Sequence, residues 1–466
     1  MVFDGTSSGA VNGNGVASLP AASTTLYLTP IVHSLSLSKL EMVPHALVAV
    51  SAGRVAWVEH LKDRQDPAEA AEKHGIDYEA ADKVVVSEGF MCPGFVDTHT
   101  HAPQYPNNGL GGSLQLLDWL VELTFPLEQE YDDAAYAAKV YKEVVRRNLA
   151  VGTTTACYYG TLHSTTTLLA DACAAAGQRA LVGRCSMDTG SGTYVEASAE
   201  ESMATTDLFL QHFDTLPSEA QQLVKPVLTP RFALSCTSQL MADLGKLANE
   251  RDLAVQTHIC ENPTEIARVK EVFPAISTYA GVYEAHGLLR KGTILAHGVH
   301  LSEAERAVIR RSGAGISHCP GSNTNLNSGA ARVLAMLEAG IPVGLGSDCS
   351  GGCEMGILPQ LRNASTVSRV LAFEGQTARS LSTAELFFLA TRGGAELCRW
   401  DDVGHFEPGA QFDALWVRPR SPGMWVEGGE AVEMVFEKWL CSGDDRDIGA
   451  VWVNGRLVSG ASPVEA

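Results

Sequence analysis

The chain has 466 residues, 45% hydrophobic and 19% charged, with 44 Gly and 20 Pro. That much apolar material excludes disorder for most of the length and suits about three units, or one large α/β domain with an appendage. Lys+Arg 34 against Asp+Glu 54 gives a net charge of −20, which argues against nucleic acid or an anionic membrane as a partner.

Residues 1–23, from Met1 to Ser23, are rich in Gly, Ser and Ala and read as a disordered tail. The first basic residue is Lys39, so no charged region precedes an apolar run and no secretory signal is expected. No run reaches about 18 consecutive apolar residues, so no membrane helix is expected either. The 11 Cys are scattered from Cys92 to Cys441 and read as reduced, buried thiols of a cytoplasmic protein.

Residues 24–92 carry short β-rich runs, at 47–50 and at 54–58 about Gly53. Residues 401–466 do the same, and there Asn454-Gly455 between two apolar runs signals a type I′ hairpin. The two β-rich ends are expected to pair into one small β-sandwich.

Between them, residues 93–400 alternate short apolar runs with helical spacing. The runs fall at 94–99, 153–157, 180–186, 226–229, 253–258, 293–297, 315–318 and 342–348. The clearest helix is 134–150, where Tyr136, Val140, Val144 and Leu149 share a face and Gly152 ends the run. Eight strands alternating with helices predict an α/β fold of the (β/α)8 barrel type. A doubly wound sheet would want a Gly-rich phosphate turn after the first strand, and here that position is rich in His and polar groups.

The first run leads into His99-Thr100-His101. On a strand, residues two apart point the same way, so both imidazoles face one direction and offer two nitrogen donors to a metal ion. The fifth, sixth and eighth runs end in His258, His297 and Asp348. Parallel strands of a barrel deliver their C-terminal ends to one mouth, so these five residues are expected around one ion. Three His and one Asp suit a single divalent ion, most simply zinc with iron as the alternative, and leave room for a water whose pKa falls toward neutrality. The remaining His would lie beside the ion. No lysine ends the fourth strand to bridge a second metal; Thr229-Pro230-Arg231 stands there instead. Asp348 can accept the water's proton, and Glu261, three residues beyond His258, can carry it to a leaving group. His163, His300 and His318 read as structural or rim residues. A different zinc plan, His-x-Glu followed by Pro-Cys-x-x-Cys, is excluded because no Pro-Cys pair occurs.

Residues 96–105, with Asp97-Thr98-His99-Thr100-His101-Ala102-Pro103-Gln104, resemble the opening of the metal-dependent amidohydrolase barrel. The likeness extends through Trp119 and Thr124-Phe125-Pro126, Thr229-Pro230-Arg231-Phe232, His258 to Glu261, Ala296-His297-Gly298, His318-Cys319-Pro320 with Ser322-Asn323, and Ser347-Asp348. Within that superfamily, the His101 to Gln104 segment and Arg231-Phe232 resemble the guanine deaminase family. The resemblance implies one zinc per subunit on His99, His101, His258 and Asp348, with His297 adjacent. It also implies catalysis by Glu261, Asp348 and His297, guanine held by His101, Gln104, Arg231, Phe232, His258, Glu261 and Asp348, and a homodimer. Cys260 stands where serine is expected, Ser347-Asp348-Cys349 differs from the common Thr-Asp-Val, and residues 1–23 have no counterpart. Cys260 beside a zinc histidine predicts sensitivity to oxidation. The alternatives are a related hydrolase of another purine, pterin or triazine, and a scaffold that has lost catalysis.

Overall fold

The computed structural model describes residues 24–463 apart from 63, 64 and 191, so the expected tail at 1–23 lies outside the described residues. Strands β1 (Thr24–Ser36), β2 (Lys39–Ser51) and β3 (Arg54–His60) form an antiparallel meander. β4 (Asp82–Val85) and β5 (Phe90–Pro93) add in parallel to the other edge of β1. Alternation along β1 and β2 feeds two apolar layers: Tyr27, Val48 and Val50 pack in one, Leu26, Leu47 and Ala49 in the other.

The barrel follows as β6 (Phe95–His101), β7 (Thr153–Tyr159), β8 (Arg179–Gly183), a two-residue extension β9 (Cys185–Ser186), β10 (Val224–Pro230), β11 (Ala254–Ile259), β12 (Thr293–His297), β13 (Gly315–His318) and β14 (Val343–Leu345). Eight of these pair in parallel in chain order, and β9 adds to β10. β6, β7, β8, β12, β13 and β14 are buried along their whole length, as covered parallel strands must be. The seam between β14 and β6 is closed by Thr98 Oγ1 donating to the Leu345 carbonyl (2.9 Å) and the Asp348 N–H donating to the His99 carbonyl (2.9 Å). The predicted helix is present as Ala134–Ala150, with the Asp133 side chain accepting from Ala135 and Tyr136 at its start.

Two expected strands differ from the prediction. The third run breaks at Arg184, whose guanidinium turns inward to Glu196. The eighth is strand only over Val343–Leu345, so Asp348 stands three residues past it, on left-handed backbone at φ 45°.

At the far end, β15 (Ala414–Val417), β16 (Ile448–Val453) and β17 (Arg456–Gly460) rejoin the first sheet, because β15 runs antiparallel to β5 with Ala414 opposite Pro93. The two chain ends thus share one eight-stranded mixed sheet. The Tyr27 and Trp452 rings lie 5.9 Å apart although their strands are three spacings removed, about 14 Å in a flat sheet. The sheet therefore folds over itself into two layers, the expected sandwich. The Asn454-Gly455 turn has both residues at positive φ, 49° and 76°, which defines type I′.

The sheet is locked to the barrel base. Arg179, first residue of β8, donates through Nε and Nη2 to both Asp413 carboxylate oxygens (2.9 and 3.0 Å), and neither side chain is exposed. Among the described residues no helix is long and apolar enough to cross a membrane.

Candidate active site

At the barrel mouth His99 and His101 leave β6 on the same side, as the period of two requires. His99 Nε2 lies 3.3 Å and His101 Nε2 3.5 Å from Asp348 Oδ1, and His101 Nε2 lies 3.3 Å from His258 Nε2. Four donors at about 2.0–2.1 Å from a tetrahedral ion stand about 3.3 Å from one another, so these separations fit one small divalent cation. Both ring nitrogens of His99 are buried without a hydrogen-bond partner, an arrangement that is costly for a buried imidazole unless an ion takes up a lone pair. The donors form two overlapping trios, His99 with His101 and Asp348, and His99 with His258 and His297.

Neighbours orient the rings. His258 Nδ1 faces the Arg231 carbonyl at 2.6 Å, so that nitrogen carries the proton and Nε2 offers its lone pair to the cluster. His297 Nδ1 donates to Asn323 Oδ1 (2.9 Å), which turns its Nε2 toward Glu261 Oε2 at 3.4 Å and Asp348 Oδ2 at 3.8 Å. Backbone on the left-handed side at Cys260, His297 and Asp348 marks this mouth as a place where local strain is held by the surrounding fold. Gly351 allows the approach: a Cβ there would meet Asp348 Oδ2 at 2.8 Å.

Burial sets the protonation states. It holds the His101 and His258 imidazoles, each also repelled by His99, well below their ordinary range, so they stand neutral as ligands must. Burial would raise Asp348 as well, yet the close approach of His99 and the positive charge that His99 and His297 can carry draw it well below the usual carboxylate range. For Glu261 burial prevails: it pushes the carboxyl up to about 7, against the opposing pull of His297. Burial disfavours the charged form of His297, but Glu261 and Asp348 outweigh it and leave that pKa raised.

Above the cluster opens a small cavity. Of the residues expected at the site, His101, Gln104, Arg231, Phe232, His258, Glu261, His297 and Asp348 all line it, and His99 lies buried beneath. The three histidines read as structural stay apart from the cluster: His163 faces Asp132 at 3.6 Å, and His300 Nε2 meets the Ser328 carbonyl at 2.7 Å. His318 lines a separate small hollow, its pKa pushed down to about 3 by burial. The structure gives no support to oxidation sensitivity at Cys260: its Sγ is buried and turned to Glu305 (3.4 Å), and burial pushes the thiol well above its ordinary range.

Sequence reasoning missed one wall. Leu116, Trp119 and Leu120 close the cavity from the helix Leu116–Trp119 and the wide π turn Leu120–Thr124 that follows it. The next helix, Phe125–Gln129, brings Glu128 to the back of Arg231 and Gln104. Ser328, whose Oγ donates to Glu261 Oε1 (3.1 Å), was missed as well, and Asn323 behind His297 lay in the resemblance without an assigned role.

The Amidohydrolase family model matches residues 90–458, and the chain belongs to that family. The probable guanine deaminase of Schizosaccharomyces pombe is 42% identical over 447 residues, covering 93% of this chain and 83% of the relative. The guanine deaminase of Homo sapiens is 38% identical over 438 residues, covering 92% and 95%. The crystal structure of guanine deaminase from C. acetobutylicum with bound guanine in the active site superposes with a TM-score of 0.86 at 31% identity, covering 93% of this chain and 100% of that one.

Proposed function

We propose that this protein hydrolyses guanine to xanthine and ammonia, using one zinc ion held by His99, His101, His258 and Asp348. The observation that carries this reading is a single cavity in which a neutral-histidine and carboxylate cluster faces an amide, a guanidinium and an aromatic ring, Gln104, Arg231 and Phe232. The relatives named above, two guanine deaminases and one probable guanine deaminase, support it.

The bound ion would supply Lewis acidity and make a nucleophile available at neutral pH. In the reaction the water oxygen bonds to C2 of the ring, the bond from C2 to the exocyclic nitrogen breaks, and ammonia leaves once that nitrogen has gained a proton. Asp348, held anionic, accepts a proton from the attacking water. Glu261, with a pKa of about 7, can take up and release a proton near neutrality and so carries it to the amine. Ser328 and His297 fix both of its oxygens. Gln104 and Arg231 meet the polar edge of the base, while Phe232, Trp119 and Leu326 give the ring apolar walls.

Within the same reading the enzyme is a cytoplasmic homodimer, and its eleven free cysteines suit a reducing compartment. The test is a substrate panel on zinc-replete protein, with ammonia and xanthine as readouts. Guanine is expected to be turned over far faster than adenine, cytosine, a pterin or a triazine. Turnover of one of those with guanine untouched would overturn the assignment.

A further inference from the structure

We propose that Glu128 is a positioning residue for the substrate: it fixes which way round Gln104 and Arg231 face the ring and thereby selects a 6-oxo over a 6-amino purine. The inference rests on the guanine reading above and adds a residue outside the cavity lining. Glu128 is wholly buried, and its two oxygens receive Arg231 Nη1 (2.6 Å) and Nη2 (3.0 Å) side by side. Oε1 also receives Gln104 Nε2 at 2.9 Å, so one carboxylate holds both groups. Phe125, three residues earlier on the same helix, lies under the guanidinium at 4.9 Å from its ring centre.

The donor and acceptor inventory then leaves little freedom. A carboxylate only accepts, so the Gln104 NH2 must face Glu128. The Ser350 N–H only donates, so the Gln104 carbonyl must face it, at 3.2 Å. Both neighbours demand the same amide orientation, which leaves Gln104 one N–H and one lone pair for the cavity. Arg231 spends two N–H groups on Glu128, and those that remain can only donate. A base edge that meets them must carry an acceptor, such as a carbonyl oxygen or a ring nitrogen. An amino group at position 6 would set N–H against N–H and leave both donors without an acceptor. Replacing the Glu128 carboxylate by an amide would introduce an N–H facing Gln104 or Arg231. Gln104 could answer only by flipping, which then opposes its NH2 to the Ser350 N–H.

The experiment uses zinc-replete Glu128→Gln and Glu128→Asp variants beside the unchanged chain. It measures kcat and KM for guanine, the inhibition constant of competing 2,6-diaminopurine, zinc content and melting temperature. In Glu128→Gln the guanine KM is expected to rise by about 100-fold with kcat within about threefold, and the preference for guanine over diaminopurine to collapse by a similar factor, at unchanged zinc content. Glu128→Asp keeps the charge at a shorter reach and is expected to restore part of both; if Glu128→Gln does not fold, it decides by the same readouts. A folded, zinc-replete variant that keeps the original KM and preference would overturn the role, as would a fall in kcat with KM unmoved. Failure of the unchanged chain to deaminate guanine would overturn the parent reading and this inference together.

Discussion

Two buried arginine–carboxylate pairs of the same kind sit at opposite ends of the barrel. Arg231 and Glu128 form a two-pronged pair at the mouth, with side chains 3% and 0% exposed. Arg179 and Asp413 form the other at the base, both 0% exposed. Each joins the barrel to a segment outside it, a helix covering the mouth in one case and the folded sheet in the other. What differs is what stands next to them. The mouth pair borders a cavity containing Glu261 and the histidine cluster, while the base pair borders Trp400, whose ring lies 5.6 Å from the Arg179 guanidinium. The same interaction thus borders the cavity at the C-terminal end, where the proposal above has it orient substrate groups, and holds two layers together at the other, the division expected of this fold.

Perturbing the two ends should separate these roles. The largest effect belongs to the mouth: Glu261→Gln is expected to lower kcat by about 10²–10⁴-fold while retaining zinc, measured by steady-state kinetics and metal analysis. At the base, Asp413→Ala strands a buried guanidinium and should cost about 3–5 kcal/mol in urea unfolding, yet leave the guanine KM of the folded enzyme unchanged. A raised KM there would dissolve the contrast. Asn323→Ala, which frees the His297 ring, is expected to reduce kcat by about 10-fold or more without lowering stability to the same degree. Phe125→Leu removes the ring beneath the Arg231 guanidinium and should raise KM only a few-fold. Least of all, Glu271→Ala breaks the exposed pair with Arg268 (2.6 Å) and should change stability by less than about 0.5 kcal/mol.

How much of this was legible in the sequence follows the same division. Strand-borne residues were readable because a parallel barrel sends strand ends to one mouth, so His99, His101, His258 and His297 could be assigned from position alone. The hairpin at Asn454-Gly455 was readable because few residues tolerate its backbone. Asp348 was found, but not its displacement beyond β14, whose ladder ends at Leu345. Glu128 stayed hidden for a different reason. Its segment changes from helix to π turn to helix within residues 116–129, which erases any periodic pattern. Its partners Arg231 and Gln104 lie 103 and 24 residues away, so its purpose is visible only once the fold joins them. Likewise Cys260 looked exposed to oxidation by proximity to His258, whereas its left-handed backbone, at φ 48°, accompanies a thiol turned to Glu305.

The most direct test of the central claim is guanine turnover during stepwise return of zinc to chelated, folded protein. The account predicts loss of ammonia release on chelation and full recovery at one zinc per chain. Undiminished activity in the metal-free protein, or recovery only after a second zinc per chain, would contradict it.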